Sequence, residues 1–66
     1  MTGIHAKRRS AELSQTDAAR LAGISRQHYI AVETGRATPS VLVAQRIAQA
    51  LGASVDELWP EKEDTP

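Results

Sequence analysis

The side chains best equipped for recognition chemistry fall within one short run: Ser25, Arg26, Gln27, His28 and Ala31. Arg26 carries a planar fork of donors. Gln27 carries a donor and an acceptor on one amide, Ser25 a hydroxyl, and His28 a ring with two nitrogens. Ala31 offers a methyl group. Such groups can donate to, accept from, or lie flat against the edges of nucleobases. Catalysis is another matter. A hydrolytic or transfer site needs a nucleophile beside a base, or two carboxylates flanking a pocket. The clustered carboxylates of this chain lie within 56–64 and read as a solvated acidic end, so no enzyme is expected. His5 and His28 have no second histidine or carboxylate at ligand spacing, and cysteine is absent. Neither a metal site nor a cofactor is therefore expected.

For that run to face outward, a helix must hold it by its other side. Tyr29 and Val32, three apart, are the natural anchors of a helix over 26–34. Ala18, Ala19 and Ala22 put small side chains on one face of a helix over 15–22, so the two can cross closely. Gly23 permits the positive φ of a sharp turn between them, and Ile24 plugs that turn. The two-residue gap before Ser25 forces a steep crossing. Further helices are predicted over 4–11, 41–51 and 55–59, an all-α architecture of five helices. Serines stand at the N-cap positions Ser14, Ser25, Ser40 and Ser54. Ser14 with Asp17, and Ser54 with Glu57, have capping-box spacing. Gly23, Gly35 and Gly52 follow helical runs, where a left-handed residue ends the helix. Val41, Ala44, Ile47, Ala48 and Leu51 form the core stripe of the fourth helix. Leu21 and Leu42 lie off their stripes, either partly covered at a rim or in contact with another subunit.

Size limits what this scaffold can do. Of 66 residues, 27 are apolar, but 11 of these are alanine. A chain this short buries only about 60 % of its unfolded surface, enough for one thin core. No apolar run approaches the ~20 residues of a membrane span, and no signal-peptide segment opens the chain, so a cytoplasmic location is expected. The zero net charge hides an asymmetry. Residues 1–36 hold six basic and three acidic side chains, a net +3; residues 37–66 hold two and five, a net −3. One domain is expected over 1–59, followed by a charged, disordered tail over 60–66.

The stretch QTDAARLAGISRQHYIAVET at 15–34 resembles the lambda-repressor-like (Xre-type, Cro-like) helix-turn-helix regulators. The resemblance rests on LSQ at 13–15, Ala19, AGISRQ at 22–27, Glu33 with GR at 35–36, and PS at 39–40. Ala44, IAQALG at 47–52 and SVDELW at 54–59 extend it over residues 4–59. It implies a five-helix domain whose third helix enters the major groove of double-stranded DNA. Arg26 and Gln27 then stand at the base-reading positions, where Arg suits guanine and Gln suits adenine. Ala31 would meet a thymine methyl, and His28 a phosphate or a base. Gln15, with Thr16 beside it, opens the second helix where the family contacts phosphate, and Ser25 caps the reading helix. Arg36 and Thr38 match a loop that grips the backbone. Arg8 and Glu33 match a structural ion pair between the first and third helices; the alternative makes Arg8 a phosphate ligand and Glu33 a cytosine reader. Trp59 is expected in core or subunit packing.

The chain also departs from that pattern. Lys7 stands where a core leucine is usual, so the first helix should be weakly anchored. Glu12 replaces a common glycine. Ala18 replaces a larger aliphatic and Tyr29 a smaller one, a pair expected to compensate in volume. Ile30, usually polar, would touch sugar or a methyl group. The expected function is sequence-specific transcriptional regulation by a repressor or autoregulator. A homodimer on a pseudo-palindrome is the expected form, because one short helix is a small footprint. The alternative is an antitoxin or adaptor acting through a protein partner.

Overall fold

The computed structural model describes residues 3–59, so the expected tail lies outside the described residues. Five helices run in chain order: α1 (Ile4–Ser10), α2 (Gln15–Ala22), α3 (Arg26–Glu33), α4 (Val41–Leu51) and α5 (Val55–Leu58). There is no strand among the described residues.

Each boundary has a local cause. Ser14, Ser25, Ser40 and Ser54 adopt extended backbone, and each side chain accepts the N–H three residues on. That satisfies one orphan donor at each helix start. The full reciprocal box forms only at Ser54, whose N–H donates to Glu57 Oε1 at 2.8 Å. At Ser14 the box is half made. Asp17 is one methylene shorter than glutamate, and its carboxylate lies 3.6 Å from Arg20 instead. Three predicted helices end one residue early. Ala11 is the cap of α1, and Glu12 after it turns left-handed at φ 58°. Thr34 caps α3 and its hydroxyl donates back to the Ile30 carbonyl at 2.8 Å. Trp59 leaves helical geometry after α5.

The helix-turn-helix itself is closed by Gly23 at φ 74°. The Ile24 N–H reaches the Ala19 carbonyl at 3.1 Å and the Gly23 N–H that of Arg20 at 3.1 Å, the paired bonds that end a helix on a left-handed residue. Ala18, Ala19 and Ala22 are all buried, and α2 packs on both α3 and α4. The core joins these alanines to Ile4, Tyr29, Val32, Ile47, Ala48, Leu51 and Leu58. Ala18 and Tyr29 are both fully buried in it.

One core expectation is corrected. The helical spacing puts Val41 on the buried stripe of α4, yet it is 76 % exposed. It is the first helical residue, and helical side chains lean toward the N-terminus. Its side chain therefore projects past the packed part of the helix. Ala44, Ile47, Ala48 and Leu51 are buried, while Leu21 and Leu42 remain 61 % and 56 % exposed. Apart from Arg8, which bonds Glu33 and the Leu13 carbonyl, the first helix has three attachments. Ile4 is fully buried, the Gly3 N–H donates to the Leu58 carbonyl at 2.8 Å, and Lys7 Nζ lies 3.5 Å from Glu57. The last is exposed on both sides and contributes little. None of the described helices is long and apolar enough to cross a membrane.

Candidate nucleic-acid interface

The third helix turns two sides to different surroundings. Tyr29 and Val32 are buried, while Ser25, Arg26, Gln27 and His28 are exposed. The Ser25 hydroxyl accepts the His28 N–H at 3.0 Å. Ser25 is thus first a cap, and it pins the turn that carries Arg26 and Gln27. Gln27 and Ala31 share a face one turn apart, as do Arg26 and Ile30. Ala31 and Ile30 are half-buried, so the exposed polar part of this surface is the start of the helix.

The loop after α3 is positioned from the same helix. Gly35 takes φ 83°, and the Arg36 and Ala37 N–H groups both donate to the Ala31 carbonyl, at 2.8 and 3.1 Å. Arg36 and Thr38 are exposed beyond this closure. Nothing in the sequence pattern assigns a role to Arg46. The structure sets its guanidinium against the turn: a Cβ on Gly23 would meet Arg46 Nη1 at 3.4 Å. Only the fold could reveal that neighbour, because 23 positions separate the two.

Beneath the exposed surface lies a polar network. Arg8 Nε donates to Glu33 Oε1 at 2.9 Å and Nη2 to Oε2 at 3.2 Å. Arg8 Nη1 donates to the Leu13 carbonyl at 2.9 Å. Gln15 Nε2 donates to Glu33 Oε2 at 3.3 Å. The Arg8 and Glu33 side chains are only 11 % and 6 % exposed. Glu33 is thus occupied by three donors, which leaves it poorly placed to read a cytosine. Burial alone would raise its pKa, but hydrogen bonds led by Arg8 hold it below the ordinary carboxylate value. Arg8 is pushed the opposite way, upward, first by its bond to Glu33. Tyr29 reaches the edge of this network with a buried hydroxyl that has no hydrogen-bond partner. Its pKa is raised, mainly by burial and then by the Glu33 carboxylate.

Gln15 and Thr16 form the first turn of α2, half-buried and exposed respectively. One hydrogen of the Gln15 amide is held by Glu33, a bond not legible in the sequence because the partner is 18 residues away. No three His, Asp or Glu side chains gather to hold a metal among the described residues. Away from α3, an apolar groove of about 320 Å³ opens between the start of α4 and α5, lined by Thr38, Val41, Ala44 and Trp59 among others.

The model of the family described as "Helix-turn-helix" matches residues 4–58. The chain belongs to the helix-turn-helix family. An uncharacterized HTH-type transcriptional regulator of Methanothermobacter thermautotrophicus is 39 % identical, over 96 % of this chain and 93 % of that protein. Among solved structures, the restriction-modification controller protein C.AhdI of Aeromonas hydrophila superposes with a TM-score of 0.80. It is 30 % identical, with 85 % of each chain covered. The N-terminal DNA-binding domain of the biofilm regulator SinR of Bacillus subtilis gives 0.77 at 26 % identity, with both chains fully covered. In helix-turn-helix terms, α2 and α3 are the motif. The left-handed Gly23 turn joins them, and the capped start of α3 is exposed.

Proposed function

We propose that this helix-turn-helix chain reads duplex DNA through the start of α3. It is a DNA-binding transcriptional regulator. The family is one of DNA-binding regulators rather than of enzymes. The observation that carries the finer reading is the exposed Arg26–Gln27–His28 run at the capped start of α3, with the same helix locked from behind by Tyr29 and Val32. Arg26 and Gln27 read base edges, and Ala31 lies against a thymine methyl. Gln15, Thr16, Ser25, His28, Arg36 and Thr38 contact backbone or flanking edges. Phosphate contacts of this kind set register, and base contacts set sequence.

The binding unit is a homodimer acting as a repressor or autoregulator in the cytoplasm. One exposed helical turn is a small footprint, and two copies would read half-sites about 34–36 Å apart. The exposed Val41 beside the apolar groove supports a second copy as its cover. The same surface supports a second reading, an adaptor or antitoxin docked on a protein partner.

Selection of bound sequences from a random duplex library, run with wild type and Arg26→Ala, separates these. A pseudo-palindrome whose half-sites lie one helical turn apart is expected. Arg26→Ala should relax one base position and weaken binding by about 1–3 kcal/mol. A folded protein that enriches no motif would defeat the DNA reading and leave the protein-partner reading.

A further inference from the structure

The bond between Gln15 and Glu33 joins two residues with different expected tasks. Gln15 opens α2, where the N–H groups of the first turn lack helical partners and favour an anion. Ser14 takes the Asp17 N–H, so the N–H groups of Gln15 and Thr16 remain available to a ligand. The Gln15 amide has two hydrogens on Nε2. One is held by Glu33 Oε2 at 3.3 Å. A glutamine side chain has several rotatable bonds, and fixing it is entropically costly. Here the carboxylate fixes it before any ligand arrives. Glu33 can do this beside a phosphate because the Arg8 fork balances its charge, at 2.9 and 3.2 Å.

We propose that Glu33 is a positioning residue for DNA binding: it orients the Gln15 amide so that its second N–H meets a backbone phosphate at the start of α2. Arg8 serves the same contact at one remove, by holding Glu33. This inference rests on the DNA reading given above. It adds a task to the Arg8–Glu33 pair besides joining α1 to α3.

The test scans methylphosphonate replacements along the duplex recovered by selection. Wild type should show, besides the phosphate contacted by Arg36, a phosphate at the start of α2 in each half-site whose replacement weakens binding about tenfold, the range of a hydrogen bond to a charged group. Gln15→Ala should reduce the effect at that phosphate to the part supplied by the first-turn backbone N–H groups. The double variant Arg8→Met with Glu33→Leu keeps Gln15, and replacing a buried pair by apolar residues commonly preserves folding. It should reduce the effect at the same phosphate to the level of Gln15→Ala while the phosphate contacted by Arg36 and the base preference set by Arg26 persist. Should the double variant not fold, Glu33→Gln replaces it and should reduce the effect at that phosphate alone. Full sensitivity there in a folded Glu33 variant overturns the proposal. If Gln15→Ala changes no phosphate while the selected motif persists, Gln15 is not a ligand and the proposal fails without the DNA reading. If selection yields no motif, both fail.

Discussion

Tyr29 shows how one side chain can fit by volume and not by chemistry. Its ring is fully buried beside the alanines of α2, but its hydroxyl is buried without a partner. An unsatisfied buried polar group is costly, and removing it can be neutral or stabilising. Tyr29→Phe is therefore expected to match wild type or exceed it by up to about 1 kcal/mol in urea denaturation. A loss above that would mean the hydroxyl is satisfied in solution. Glu12 carries strain of a different origin, in its backbone. It holds φ 58° without being glycine, a conformation that crowds Cβ against the next carbonyl. Glycine there relieves the crowding but loosens the unfolded chain. The net expectation for Glu12→Gly is a gain of about 0.5–1 kcal/mol, read as a higher urea midpoint.

At the scale of elements, the helices were legible because their ends are chemical signals. The serine caps and the glycines at 23, 35 and 52 mark boundaries in the sequence, and the helix ends fall next to them except at α3, which stops at Glu33, two residues before Gly35. What was not legible depends on contacts between distant segments. Val41 has the right type and spacing for the core, and only the absence of a neighbour past the start of α4 exposes it. The exposed run at 25–28 could be inferred from Tyr29 and Val32 behind it. The tie from Gln15 to Glu33 and the place of Arg46 beside Gly23 could not. Gly3 belongs with these hidden cases, because its need for no side chain comes from α5. A Cβ there would meet the Glu57 carbonyl oxygen at 2.9 Å, and backbone cannot move aside cheaply. Gly3→Ala is expected to cost about 1–3 kcal/mol, as overpacking does. A melting temperature equal to wild type would contradict that close approach.

For the whole molecule, acid should be the condition that loosens the fold. Glu33 and Glu57 both have folded pKa values below the ordinary carboxylate value. For Glu33, hydrogen bonds led by Arg8 outweigh the upward push of burial. For Glu57, the Ser54 N–H is the largest cause and Lys7 the next. A depressed folded pKa means the unfolded chain binds more protons. The stability from these groups is complete above about pH 4.5 and is lost as pH falls through the folded values. The urea midpoint should hold near neutrality and fall below that pH. Glu33→Gln should be less stable at pH 7 and show a shallower acid decline; an unchanged slope would remove Glu33 from the acid response.

The bond from the Gly3 N–H to the Leu58 carbonyl also brings the two ends of the folded unit together. Segments attached before α1 and after α5 would leave from one side, so a partner domain at either end starts from nearly the same point. The same closeness makes the unit a good subject for circular permutation. A short linker could join the old ends, while new ends opened between α4 and α5 would leave the α2–α3 motif and the loop after it unbroken.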